Sequence, residues 1–70
     1  MIFATVGTHH DGFPRMLRAL ELLPPDTDLV VQHGNGEAPA NARMASPFLP
    51  FSEMSANFAA ADIVLTHAGV

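Results

Sequence analysis

The sequence predicts an α/β protein built on a Rossmann-like parallel sheet. Three observations carry that expectation. Short apolar runs at Ile2–Val6, Leu29–Gln32 and Ile63–Thr66 read as buried strands. Apolar residues recur at helical spacing in the two segments that begin near Phe13 and Ser52. The resulting order is βαβ, a loop, then β and αβ, which places helices on the faces of a parallel sheet.

The first strand, Ile2–Val6, ends at Gly7, and Gly7-Thr8-His9-His10-Asp11-Gly12 is a polar loop bounded by glycine. From Phe13 the period becomes helical. Phe13, Met16, Leu17, Leu20 and Leu23 share one face, while Arg15, Arg18 and Glu21 take the solvated one. Pro14 suits the first helical turn, where its missing N–H has no intrahelical partner to lose. Pro24-Pro25 is expected to end this helix by steric clash and loss of a donor. Asp26-Thr27-Asp28 then turns the chain into the second strand, Leu29–Gln32.

Gly34 to Asn41 is the most loop-like stretch, rich in Gly, Pro, Ala and Asn. A weak third strand is expected near Arg43–Ala45, followed by a connecting loop through Ser46-Pro47-Phe48-Leu49-Pro50. Ser52 is the expected N-cap of the second helix, with Glu53 favourable to the dipole in its first turn. Met54, Phe58 and Ala61 form its expected buried stripe. Asp62 precedes the fourth strand, Ile63–Thr66, and His67-Ala68-Gly69-Val70 follows it.

Composition narrows the function classes. A chain of 70 residues is at most one domain, and a domain this small buries only about 60% of its unfolded surface. Without cysteine, neither a disulfide nor a thiolate zinc site reinforces it. Hydrophobic residues make up 49% of the chain and charged ones 14%, so a chain this short is expected to meet more protein. The net charge is −4, with three arginines and no lysine. That leaves no basic stripe for nucleic acid. No apolar run approaches the ~18 residues of a membrane span, and the short apolar start lacks the basic stretch of a signal peptide. A cytoplasmic protein is expected, with no direct membrane insertion.

The ligand site follows from topology. In the doubly wound order 3-2-1-4, the first and fourth strands are neighbours and their connections leave in opposite directions. Ligands bind beyond the carboxyl ends at that switch point. Those ends carry Gly7-Thr8-His9 and Thr66-His67-Ala68-Gly69. Glycine lets a backbone approach closely, threonine offers a hydroxyl, and a following helix N-terminus attracts an anion such as a diphosphate.

Two nucleotide motifs fail. The dinucleotide fingerprint wants glycine where His9 stands between Gly7 and Gly12, and the triphosphatase loop wants a lysine. His9, His10 and Asp11 resemble metal ligands only superficially, because adjacent residues point apart; no metal is expected. His33 reads as a strand-end or surface histidine. His67, at the switch point, suits either a ligand contact or a loop-shaping hydrogen bond.

Met1-Ile2-Phe3-Ala4-Thr5-Val6-Gly7-Thr8-His9, followed by Phe13-Pro14-Arg15-Met16-Leu17, resembles the opening of the C-terminal-type domain of glycosyltransferase family 28. The likeness is to its small single-domain members, such as the soluble subunit of a UDP-N-acetylglucosamine transferase and bacterial exopolysaccharide counterparts. Val30-Val31-Gln32-His33-Gly34 looks like the family's second strand and Gln-x-Gly exit. Phe51-Ser52-Glu53-Met54 looks like the start of a later helix. Ala61-Asp62-Ile63-Val64-Leu65-Thr66-His67-Ala68-Gly69 looks like its Ser/Thr-His-Ala-Gly loop.

The resemblance implies the front half of a GT-B donor domain that binds a UDP-sugar and transfers the sugar with inversion and without a metal or other cofactor. Gly7, Thr8, His9 and Gly69 become donor-site or cleft residues, and His67 a proton acceptor for the incoming hydroxyl. Most uridine, ribose and diphosphate contacts in such domains follow the fourth strand's loop, so these 70 residues are expected to be inactive alone. The implied partner is a membrane-anchored subunit, or a second copy of the chain.

Two readings compete. A noncatalytic interaction module would keep the fold and offer the edge of its fourth strand to a partner chain. A flavodoxin-like or phosphoacceptor domain is poorly supported, because Asp11 alone is no acidic cluster and Gly7–Gly12 is short of serine and threonine.

Overall fold

The computed structural model describes residues 1–6 and 14–66. Four parallel strands form one sheet in the order β3-β2-β1-β4: β1 (Ile2–Thr5), β2 (Leu29–Gln32), β3 (Met44–Ser46) and β4 (Ile63–Thr66). Helix α1 (Pro14–Leu20) joins β1 to β2, and α2 (Phe51–Ala60) joins β3 to β4. This is the α/β, Rossmann-like arrangement that the apolar runs predict. Phe13 lies outside the described residues.

Strand register fixes what each face carries. Ile2 pairs with Leu29 and Ile63, and Ala4 with Val31 and Leu65. Because side chains alternate along a strand, these residues share one face. Leu17 and Leu20 of α1 pack there against Ala4, Val6, Leu29 and Val31, with Ile2, Met16, Leu23 and Ala42 at the margin. The opposite face carries Phe3, Val30 and Val64, and Phe58 of α2 meets Phe3 edge to face with ring centroids 5.3 Å apart. The two helices therefore cover opposite faces.

Several boundaries differ from the sequence expectation. The apolar period of α1 runs to Leu23, yet the helix ends at Leu20. Glu21, Leu22 and Leu23 instead donate to carbonyls three residues back, at 3.1, 3.1 and 3.2 Å. Leu23 precedes Pro24, which disfavours the helical region for it, so the proline pair acts one turn upstream. Asn41 Nδ2 takes up the Leu20 carbonyl at 2.9 Å, closing the helix end from the β2–β3 loop. Strand β3 starts one residue later than expected, at Met44. It reaches Ser46 because the His33 N–H donates to the Ser46 carbonyl at 2.9 Å.

Helix α2 departs further. Its N-cap is Pro50 rather than Ser52, and no side chain caps it. The ring of Pro50 holds φ at −59° with ψ at 156°, so the chain is extended up to Phe51 and helical directly after it. Ser52 thus sits inside the first turn, where Glu53 lies as expected. Of the expected stripe of Met54, Phe58 and Ala61, Phe58 meets the sheet at Phe3, but none of the three is buried, and no residue of α2 is. The helix touches the sheet through Phe58, while its earlier turns stand over a cavity of about 350 Å³ lined by Val30, Met44, Ser46, Leu49, Glu53 and Ala56 among others.

The amino end of β4 is fastened to that of β1. The Met1 ammonium donates to Asp62 Oδ2 at 2.6 Å, and the Asp62 N–H donates to the Met1 carbonyl at 2.9 Å. The ammonium, by hydrogen bond and by charge, holds the Asp62 carboxyl below the ordinary aspartate value. At the edge of β2, Arg43 Nε pairs with Asp28 Oδ1.

Two outcomes are expected. Phe3→Ala removes a fully buried ring and should cost about 3–5 kcal/mol in urea unfolding, whereas Phe58→Ala should cost roughly half that or less. A depressed Asp62 pKa contributes stability above the ordinary aspartate value, lost as pH falls through the lowered one. Asp62→Asn should therefore lower the melting temperature at neutral pH and leave it unchanged in strong acid, a convergence that thermal scans across acid pH would record.

Candidate functional site

The carboxyl ends of the strands carry one feature that apolar periodicity does not predict. Each strand closes on a polar residue: Thr5, Gln32, Ser46 and Thr66. Thr5 pairs in register with Gln32 on one side and Thr66 on the other, and Gln32 pairs with Ser46. By strand alternation all four lie on the α2 face. They form a row of hydroxyl and amide groups across the end of the sheet.

Its centre is buried, Thr5 being 8% and Gln32 6% exposed. Thr5 Oγ1 donates to Gln32 Oε1 at 2.7 Å, so one acceptor of the amide is satisfied. Ser46 Oγ donates to the Phe48 carbonyl at 3.1 Å, while Thr66 is exposed. None of the four carries a charge. Backbone pairing continues past the row on β1, where the Val6 N–H donates to the Gln32 carbonyl at 3.2 Å.

The segment after β2 is also ordered by its own bonds. The Gly36 N–H returns to the His33 carbonyl at 3.0 Å, and Gly34 takes φ 58°, a left-handed value that glycine accepts without a Cβ clash. His33 Nδ1 lies 2.9 Å from the Gly36 carbonyl. A carbonyl only accepts, so Nδ1 is the donor in this contact. His33 is thus a half-buried strand-end histidine, as the sequence suggests. On the α1 face, a cavity of about 290 Å³ opens between α1 and this loop, lined by Arg18, Glu21, Asn35 and Glu37 with Leu17 and Pro39.

The strand order 3-2-1-4 is the one that the switch-point argument requires. Thr5 and Thr66, the last residues of the two strands flanking that point, are register partners. The residues singled out from the sequence, Gly7, Thr8, His9, His67 and Gly69, lie outside the described residues, as do His10 and Asp11. Among the described residues, no group of three or more histidines and carboxylates is placed to hold a metal ion.

Apolar periodicity does not single out the polar row in the sequence. Its signal in the sequence is that every expected strand, once its end is set correctly, stops on Thr, Gln or Ser. Setting the third strand at Arg43–Ala45 hides Ser46.

Fold and site together define an α/β domain of Rossmann-like arrangement with a polar carboxyl end. Comparison with protein-family models, curated proteins and solved structures finds no match. No helix among the described residues is long and apolar enough to cross a membrane.

The buried Thr5–Gln32 pair makes a quantitative prediction. Thr5→Val strands the Gln32 carbonyl oxygen and should cost about 1–3 kcal/mol. Combining it with Gln32→Leu removes both polar partners and should recover part of that loss. Urea titrations of the two single variants and the double variant check the expected non-additivity.

Proposed function

We propose that the chain is the donor-binding part of a UDP-sugar glycosyltransferase, which passes a hexosyl or N-acetylhexosaminyl group to a lipid-linked or polysaccharide acceptor. One observation carries this reading. The order β3-β2-β1-β4 makes β1 and β4 neighbours, and their register ends on Thr5 and Thr66. Gly7-Thr8-His9 and His67-Ala68-Gly69 therefore continue from adjacent strands at the switch point, where ligands of open α/β sheets bind. The likeness of these segments to glycosyltransferase family 28 supplies the substrate class.

In this mechanism, the acceptor hydroxyl oxygen bonds to the anomeric carbon as its proton passes to the imidazole of His67. The bond from that carbon to UDP breaks, and UDP leaves with the electron pair. The sugar is delivered with inversion. Gly7, Thr8, His9 and Gly69 line the donor cleft, and rate enhancement rests on positioning and on stabilising the charge that develops on UDP. No metal or cofactor enters the scheme. The protein works in the cytoplasm, at the membrane through an anchored partner subunit.

A second reading has its own observation. Strand β4 is an edge, and its Ile63, Val64 and Leu65 are 52%, 39% and 36% exposed. Such an edge suits a noncatalytic module whose sheet is extended by another chain.

Thermal unfolding with and without UDP, measured with the remaining half of the proposed donor domain present, separates the two. A donor domain should be stabilised by about 2.7 kcal/mol at UDP a hundredfold above Kd. His67→Ala should abolish transfer in the partnered protein while leaving the UDP shift largely intact. Indifference to UDP, together with stabilisation by a partner chain, would favour the interaction module.

A further inference from the structure

We infer that Asn35 is a site of deamidation, in which the backbone nitrogen of Gly36 closes on the Asn35 side-chain amide and leaves a new carboxylate at the cavity beside α1. The site lies on the α1 face, across the sheet from the polar row, and stands whether or not a donor binds there.

The chain has three asparagines, and the structure separates them. The reaction needs the backbone nitrogen of the following residue to swing onto the side-chain carbon. A side chain on that residue obstructs the approach, and glycine has none. Asn57 lies inside α2, commits Nδ2 to the Glu53 carbonyl at 3.0 Å and precedes Phe58, whose ring packs on Phe3. Asn41 commits Nδ2 to the Leu20 carbonyl at 2.9 Å, and the Ala42 N–H after it donates to the Pro39 carbonyl at 3.2 Å. Asn35 is exposed in the loop after β2 and precedes Gly36. The Gly36 N–H donates to the His33 carbonyl at 3.0 Å, closing a single surface turn. Such turns open without unfolding of the sheet, so this bond delays the attack without forbidding it.

The atoms balance with water as the only co-reactant. Hydroxide takes the Gly36 amide proton, and the nitrogen electron pair forms a bond to Asn35 Cγ. The bond from Cγ to Nδ2 breaks, and the departing nitrogen takes a proton from water, leaving as ammonia and returning hydroxide. Water then opens the cyclic succinimide at one carbonyl or the other, giving aspartate or isoaspartate.

Either product changes its surroundings. Asn35 lines the cavity of about 290 Å³ with Arg18, Glu21 and Glu37. A carboxylate there adds a third acid to a lining with one arginine. In isoaspartate the main chain also gains an atom between His33 and Gly36. The two bonds across that stretch, Gly36 N–H to the His33 carbonyl and His33 Nδ1 to the Gly36 carbonyl at 2.9 Å, both span the insertion.

The test incubates the full 70-residue chain in warm, mildly alkaline buffer and follows each asparagine by peptide mapping with mass spectrometry. The inference expects the mass gain of OH replacing NH2 at Asn35, with isoaspartate among the products, while Asn41 and Asn57 stay intact. Gly36→Ala should slow the conversion several-fold, and the loop accepts it because Gly34 is its positive-φ glycine. Urea beyond the unfolding midpoint removes the turn bond and should speed conversion about 2- to 10-fold, the worth of one neutral hydrogen bond. Parent and Gly36→Ala compared in that urea test the attack even if the variant folds poorly.

An intact Asn35, conversion spread evenly over the three asparagines, or Gly36→Ala reacting at the parent rate would overturn the inference. A rate at Asn35 unchanged by urea overturns the delaying role of the turn.

Discussion

Parallel strands cannot be joined by a tight turn, and their crossovers are right-handed almost without exception. That constraint organises the molecule. From β1 the chain moves one way through α1 to β2 and β3. From β3 it returns through α2, past β2 and β1, to β4. Two right-handed crossovers running in opposite directions must lie on opposite faces, which is where α1 and α2 are. The reversal also leaves β1 in the interior with a neighbour on each side. Phe3 and Ala4 are fully buried as a result. The same reversal sets the carboxyl ends of β1 and β4 side by side, with Thr5 and Thr66 as register partners.

The two faces are sealed to different degrees. Under α1, Leu17 and Leu20 close on the alternate residues of β1 and β2 to give the continuous apolar cluster. Under α2, contact is concentrated at the Phe58 ring, and the first turns of the helix stand off the sheet. The polar row lies on this looser face. The row is partly satisfied without the helix, Thr5 donating to Gln32 and Ser46 to the Phe48 carbonyl, and α2 faces this side with Glu53, Ala56 and Asn57 among its residues. Asn57 spends its Nδ2 on the Glu53 carbonyl at 3.0 Å, within the helix itself.

Most of the fold was legible because strand and helix periods differ and the breakers are strong. Leu29–Gln32 and Ile63–Thr66 match the sequence reading residue for residue, and the strand order is the one expected. The errors arose where two local rules compete. Ser52 has the right chemistry for a cap, but Pro50 sets the backbone first. Met54 and Phe58 have the right spacing for a buried stripe, but spacing gives direction and not depth. The polar row escaped a reading tuned to apolar periodicity, because Gln32 and Thr5 look like ordinary strand ends until the register sets them side by side. The residues proposed for the donor cleft rest on loop chemistry and family likeness, and the structure adds the strand ends that precede them, Thr5 and Thr66.

The clamp between Met1 and Asp62 has a further meaning for how the chain closes. Thr5 and Gln32 are 27 residues apart, whereas Met1 and Asp62 are 61 apart. Loop-closure entropy grows only with the logarithm of length, so the longer closure costs about 0.7 kcal/mol more than the shorter one. The last strand thus joins the sheet for little more than the second one does. That small increment brings two strands far apart in sequence, β1 and β4, into register along one boundary of the described sheet.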